Sequence, residues 1–377
     1  MSSGMTRRSI STPSRNGGGR RTGAAVVIAL CVLAAGLAAR ARSGAAPAMA
    51  AAAAAWLESL EPAQQSLARR PFTDATRTDW HFVPKPARKG LQLRDMTPLQ
   101  QAAALRLARA TLSQVGYDKS VGIMQLDEIL RLLEGPRAKN IRDAQRYFLT
   151  VFGTPADDGT WAVSIEGHHL SLNVTVRDGR IVDSTPQFLG ANPAVVTTAL
   201  PGLPPVGHRV LGDEEALAFE LVQSLDAAQR AAAVIAAEAP REIRAAGQPQ
   251  PPLEPAVGIG FDALTASQQA LLRRLVDVYC GVMPAEVAEE RLRLIDTAPA
   301  GESGVAGGWH ALRFAWAGSL APGTGHAYRI EGPTFVIEFC NNQPDAEGNP
   351  ANHVHCVWRD RTGDFDLPAV PGGSSRR

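Results

Sequence analysis

Two stretches, "WAVSIEGHHLSLNV" at residues 161–174 and "HAYRIEGPTFVIEF" at residues 326–339, carry one pattern 165 positions apart. In each, Ile-Glu-Gly leads into residues that alternate between two chemical sets, the period of a strand whose side chains point to opposite faces. Leu170, Leu172, Val174 and Val176 set a buried face that also takes His168, while His169, Ser171, Asn173 and Thr175 share the other. In the second stretch Phe335, Ile337 and Phe339 form the buried face, and Thr334, Val336, Glu338 and Cys340 stand where the polar set stood.

Working outward, the correspondence extends in the same order. "SLEPAQQSLARR" from Ser59 matches "SLDAAQRAAAVI" from Ser224, and "MTPLQQAAALRLARATL" from Met96 matches "LTASQQALLRRLVDVYC" from Leu264. A repeat at so long a period is an internal duplication. Thr97 and Thr265 are placed to cap helices with apolar residues at three- to four-residue spacing. A second helix is expected over residues 120–133 and again over 284–295. Beyond Gly153 and Gly308 the period becomes two. Helices segregated from strands give an α+β class: two duplicated helix-then-antiparallel-strand halves, residues 51–205 and 206–343, packed as one pseudo-symmetric body. Residues 344–377 form a histidine-containing C-terminal segment. The Pro- and Gly-rich runs at 190–207 and 245–258 punctuate the halves.

The N-terminus reads differently. Seven arginines and no acids fall within residues 1–50, around the apolar run "GAAVVIALCVLAAGLAA" and ahead of "APAMA". A basic flank, an apolar core and small residues form an export signal with cleavage expected near Ala50. The same run is nearly long enough for an uncleaved membrane anchor. Either reading places the rest of the chain in the periplasm or outside the cell, with membrane contact only if the segment is retained. The whole chain carries a formal +1, so residues 51–377 carry −6. That charge, with no basic stripe interleaved with aromatics, speaks against nucleic acid as a partner. Beyond the leader's Cys31, Cys280, Cys340 and Cys356 remain, and Cys340 with Cys356 would close a short loop if paired.

Four of the eight histidines lie in two places, His168-His169 and the "NHVHCVWRD" run at 352–360. Extended, the run puts His353, His355 and Arg359 on one face, and an H-x-H pair brings two imidazoles within reach of one ion. His169, His353 and His355 are therefore candidate ligands for zinc or another divalent metal. Glu166 or Glu338 is the candidate fourth ligand or general base. Arg359 is the candidate to hold an anionic group, and Asp360 to orient a histidine. A GxSxG elbow, HExxH, a P-loop and a dinucleotide fingerprint are all missing from the sequence.

These residues resemble the bacterial family known as domain of unknown function 3500. The likeness rests on "WAVSIEGHHLSLNVTV", "FLGANP", "FAWAG", "YRIEGPTFVIEF" and "NHVHCVWRD", and covers almost everything after the leader. It implies relatives but no reaction. The family pattern continues through an Asp-Phe-Gly-like turn to a His-Tyr pair, whereas this chain has Asp364-Phe365-Asp366 and no later histidine. Three readings stand together: a metal-dependent hydrolase acting on a small molecule, a non-catalytic metal- or ligand-binding protein, and a purely structural histidine cluster.

Overall fold

The computed structural model describes residues 44–136, 138–300 and 306–368, together with Met1. The expected leader, its alternative as an anchor, and Cys31 fall outside these residues, apart from 44–50. Among the described residues no helix is long and apolar enough to cross a membrane.

Eight α-helices and a large mixed sheet make up the described chain, a mixed α+β architecture. The first helices are α1 (Ala45–Glu58), α2 (Pro62–Ala68), α3 (Pro98–Thr111) and α4 (Gln114–Glu134). The later helices are α5 (Gly212–Ser224), α6 (Ala227–Ala233), α7 (Ala266–Cys280) and α8 (Ala285–Asp296). Thr97 and Thr265 each accept a hydrogen bond from the backbone N–H of a glutamine three residues on, and that glutamine's side chain bonds back. These reciprocal boxes satisfy donors that a helix start leaves open. Each glutamine also reaches across to a neighbouring helix end: Gln100 Nε2 donates to Ser59 O at 2.8 Å, and Gln268 Nε2 to Ser224 O at 2.9 Å.

The strands are β1 (Arg69–Arg70), β2 (Leu91–Gln92), β3 (Phe148–Phe152), β4 (Thr160–Gly167), β5 (Leu170–Arg177), β6 (Arg180–Asp183), β7 (Gln187–Ala191), β8 (Val234–Ala236), β9 (Ile259–Gly260), β10 (Arg313–Gly318), β11 (His326–Glu331), β12 (Phe335–Asn341) and β13 (Val354–Asp360). Their order across the sheet is β1-β3-β4-β5-β7-β13-β12-β11-β10-β8. From either edge the same series appears: a short strand running parallel to its neighbour, three antiparallel strands, then the central pair β7 and β13. The expected purely antiparallel sheet is thus corrected to a mixed one. The parallel edge strands, two and three residues long, are too short to leave a period in the sequence.

One face of the sheet carries Leu149, Val163, Leu172, Val174, Ile337 and Trp358, which join the helices in the main apolar core. The opposite face is polar around Ser164, Glu166, Ser171 and Asn173, yet it too is buried. Aromatic and aliphatic residues from two irregular segments, Trp80 and Phe82 on one side and Ile243 on the other, cover it together with Phe188 and Val357. This covered polar face positions the site.

Four expectations change against the coordinates. His168 and His169 are the two residues of the β4–β5 hairpin turn, with Gly167 opposite Leu170, rather than the head of one continuous strand. A two-residue turn preserves the alternation on both sides, which is why the sequence ran smoothly through it. Residues 45–50 belong to α1, where Ala46, Met49 and Ala50 are buried, so the folded body begins before the expected boundary at 50. Cys280, Cys340 and Cys356 are free and buried; Cys340 lies on the covered face and Cys356 on the helix face, so the loop-closing disulfide does not form. Pro284 is the residue before α8 rather than within its first turn. Phe365 and Asp366 both take positive φ, 60° and 55°, so the aspartate occupies backbone space that a glycine adopts without strain.

Candidate metal centre

The site is assembled from one turn and the start of one strand. His169 sits at φ 60°, a conformation uncommon outside glycine. Two backbone bonds hold it there: its N–H donates to Phe82 O at 2.9 Å, and its carbonyl accepts from Gly190 N at 2.8 Å. Gly190 makes this approach feasible, since a Cβ there would lie 2.9 Å from Val354 O and 3.1 Å from His169 Cβ. On the far side of β7, β13 brings in His355, which pairs with Gly190, and His353 just before the strand begins.

Three ring nitrogens meet. His169 Nε2 lies 2.9 Å from His353 Nε2 and 3.2 Å from His355 Nε2. Ligand atoms of the three all fall within 4.8 Å of one another. An ion bound tetrahedrally at about 2.1 Å from each nitrogen needs separations of roughly 3.4 Å, so the two pairs that include His169 would open by a few tenths of an ångström to admit it. Among the described residues, no fourth histidine, cysteine or carboxylate joins this group. His169 and His355 are 3% and 4% exposed, and His353, of intermediate burial, is the most exposed of the three.

The surroundings set the protonation the ligands need. Burial, reinforced by the neighbouring imidazoles, holds His169 well below the usual histidine range and pushes His353 down to about 2. Neutral imidazoles are the metal-binding form. His355 Nδ1 lies 2.8 and 2.9 Å from the two Glu242 carboxylate oxygens, so Nδ1–H donates outward and the Nε2 lone pair faces the centre. Phe82 and Phe188, stacked at 3.9 Å, wall the His355 ring from water. Asn192 Nδ2 is 3.4 Å from His353 Nδ1, while Asn192 Oδ1 is buried without a partner. A half-turn of that amide would let Oδ1 accept from Nδ1–H, satisfying the orphan oxygen and directing the Nε2 lone pair into the triad.

The other sequence candidates are engaged elsewhere. Glu166 is buried in an ion pair with Lys89. Glu338 receives the backbone N–H of Arg244 at 2.8 Å and its Nε at 2.5 Å. It lines a cavity of about 440 Å³ beside Glu242 and Cys340. Arg359 is 1% exposed, stacks over Trp80 and is fixed by Asp364 and by the carbonyls of Ala245 and Gln248. Asp360 accepts from Thr362 instead of orienting a histidine.

Sequence reasoning missed Glu242, Asn192 and Asp127. Glu242 and Asn192 lie in irregular segments that carry no periodic signal. Asp127 did leave one: it falls between Ile123 and Leu130 on the apolar stripe of α4, where an unpaired acid would be costly, and it is 3% exposed.

The chain belongs to the family described as Protein of unknown function (DUF3500), whose model matches residues 42–367. No curated protein and no solved structure matches it.

Proposed function

We propose that in this member of the family His169, His353 and His355 hold one divalent metal ion, zinc foremost, and that the chain is an exported metal-dependent hydrolase of a small molecule. The observation that carries this reading is the convergence of three Nε2 atoms from two separate elements, two of them on imidazoles kept uncharged. An all-nitrogen set suits zinc, and three protein ligands with the fourth position open is the arrangement of catalytic rather than structural sites. When bound, such an ion supplies Lewis acidity and lowers the pKa of a bound water. The chain's part is to orient the ligands through Glu242 and Asn192 and to exclude bulk water with Phe82 and Phe188. Deep burial of His169 and His355 favours a second reading, a non-catalytic metal carrier.

Metal analysis of the purified chain, before and after chelation, tests the first step, with about one equivalent expected. Less than a tenth of an equivalent after zinc loading would sink both readings. A panel of ester, amide and glycoside substrates then separates them, since a carrier turns none over.

Export rests on the arginine-flanked apolar run. Helix α1 starts at Ala45 and the family match at residue 42, which supports a junction before Gly44 in place of Ala50. N-terminal sequencing of the exported chain checks this, and a full-length cytoplasmic product would reject it. Internal duplication is our reading of the repeated sequence offsets, with the matched capping boxes and sheet order in support. A relative with residues equivalent to Ile165 and Ile330 in unrelated elements would count against it.

A further inference from the structure

We infer that His168 is a positioning residue for the metal centre, acting on His169 through a stacked, hydrogen-bonded assembly anchored on α4. The proposal rests on the metal reading above.

The His168 ring stacks on the His169 ring, with centroids 3.7 Å apart and planes inclined by 29°. Its Nδ1 lies 2.6 Å from Asp127 Oδ1. Tyr147 Oη lies 3.0 Å from Asp127 Oδ2 and 2.9 Å from the His168 carbonyl, so its single O–H is shared between the anchoring acid and the backbone of the turn. The tyrosine ring can lie there only because Gly167 lacks a side chain; a Cβ would come within 2.2 Å of Tyr147 Cδ1.

Arg142 closes the stack. Its Nη1 is 3.2 Å from His168 Nδ1 and 3.1 Å from Nε2. An atom nearly equidistant from both ring nitrogens at that range would collide with Cε1 if it lay in the ring plane, so it sits over the ring. His169 occupies one face, which leaves the other to the guanidinium. Glu134, the last residue of α4, holds that guanidinium through Nε and Nη2 at 2.7–3.1 Å. His168 is thus packed between a fixed cation and a candidate ligand and tethered at its edge.

A ligand borne on a turn has no strand neighbours to fix its ring, and this assembly supplies the constraint. His168 itself offers the centre no ligand atom, because it is absent from the converging group. Partners that orient a metal ligand typically contribute 10–100-fold to metal affinity.

The test compares zinc and cobalt(II) affinity, by chelator competition, and the visible spectrum of the cobalt(II) form across wild type, His168→Leu, Asp127→Leu and Asp127→Asn. Asparagine keeps an oxygen to accept from Nδ1–H and so serves as the rescue. The two leucine variants are expected to lose roughly 10–100-fold in affinity and to shift the cobalt bands, while Asp127→Asn stays within about threefold of wild type. Apo-protein melting curves identify any variant that fails to fold: if His168→Leu fails, the Asp127 pair decides, and if Asp127→Leu fails, His168→Leu decides. Unchanged affinity and spectrum in a folded leucine variant, with wild type binding metal, would overturn this inference alone. A wild-type chain that binds neither metal would overturn it together with the metal reading.

Discussion

The β4–β5 turn and the β11–β12 turn are both tight hairpin connections, but they differ in backbone and in chemistry: His169 takes a positive φ and Thr334 does not. Gly167 faces Leu170 across the first, and Gly332 donates to Phe335 across the second. The second turn residue of each offers its carbonyl to the central strands: His169 to Gly190, Thr334 to Arg361. Beside the first turn the start of β13 presents two imidazoles. At the other end of that strand Arg359 is locked onto Asp364. Where the first half has His168-His169, the second has Pro333-Thr334. The backbone of the turn and a few side chains at one end of one strand therefore decide which end can hold an ion.

The largest expected effect comes from emptying the histidine end. His353→Ala/His355→Ala should reduce bound zinc from about one equivalent to none, by elemental analysis of folded protein. Introducing histidines at Pro333 and Thr334 should recruit no metal, because no imidazoles wait opposite; stoichiometric zinc there would break the comparison. At the inert end the expected loss is in stability. Arg359→Leu strands Asp364, which is wholly buried, and should cost about 3–5 kcal/mol in denaturant unfolding while leaving metal affinity intact.

Smaller effects sharpen the contrast. Glu242→Ala should weaken zinc binding about 10–100-fold in chelator competition, with little change in apo stability. Acid should act on the metal-free protein through the histidine end. His169 and His353 titrate below their unfolded value of 6.5, so their contribution is complete above pH 6.5 and is lost as the unfolded chain takes up protons below it. The contribution of each of these histidines should then fall by roughly 1.4 kcal/mol per pH unit below that point, against an opposite contribution from Asp183, whose pKa burial raises to about 8. A pH profile from 6.5 to 5 identical to that of a folded His169→Gln/His353→Gln variant would contradict neutral His169 and His353. Smallest of all, Thr97→Ala and Thr265→Ala should each cost about 1 kcal/mol, alike in both halves because the capping boxes match.

Much of this was legible in the sequence because two physical periods were strong. Alternation sorted His169 onto the face of Ser171, and the two-residue turn left that parity intact. Repeated Thr-x-x-Gln boxes marked equivalent helix starts. The export boundary was ambiguous because "AAPAMAAAAAAW" satisfies two rules at once: small residues suit a peptidase, and alanine is the strongest helix former. Glu242 was invisible because it works from an irregular segment across a gap of 113 residues from His355. Glu338 and Arg359 shared a face with candidate ligands, but a face extends along a whole strand, and their partners Arg244 and Asp364 come from loops that alternation does not describe.

Cys340 gives this arrangement a clock. Its thiol donates to Pro240 O at 2.9 Å, burial pushes its pKa up to about 12, and it shares a cavity wall with Glu242. Cys340 is 3% exposed and packed against the segment 239–244, so its labelling rate under native conditions measures how often the structure around it opens. Because Glu242 in that segment grips His355, the residue paired with Cys340 on the neighbouring strand, an ion at the triad should slow the labelling and make one unremarkable thiol a reporter of occupancy.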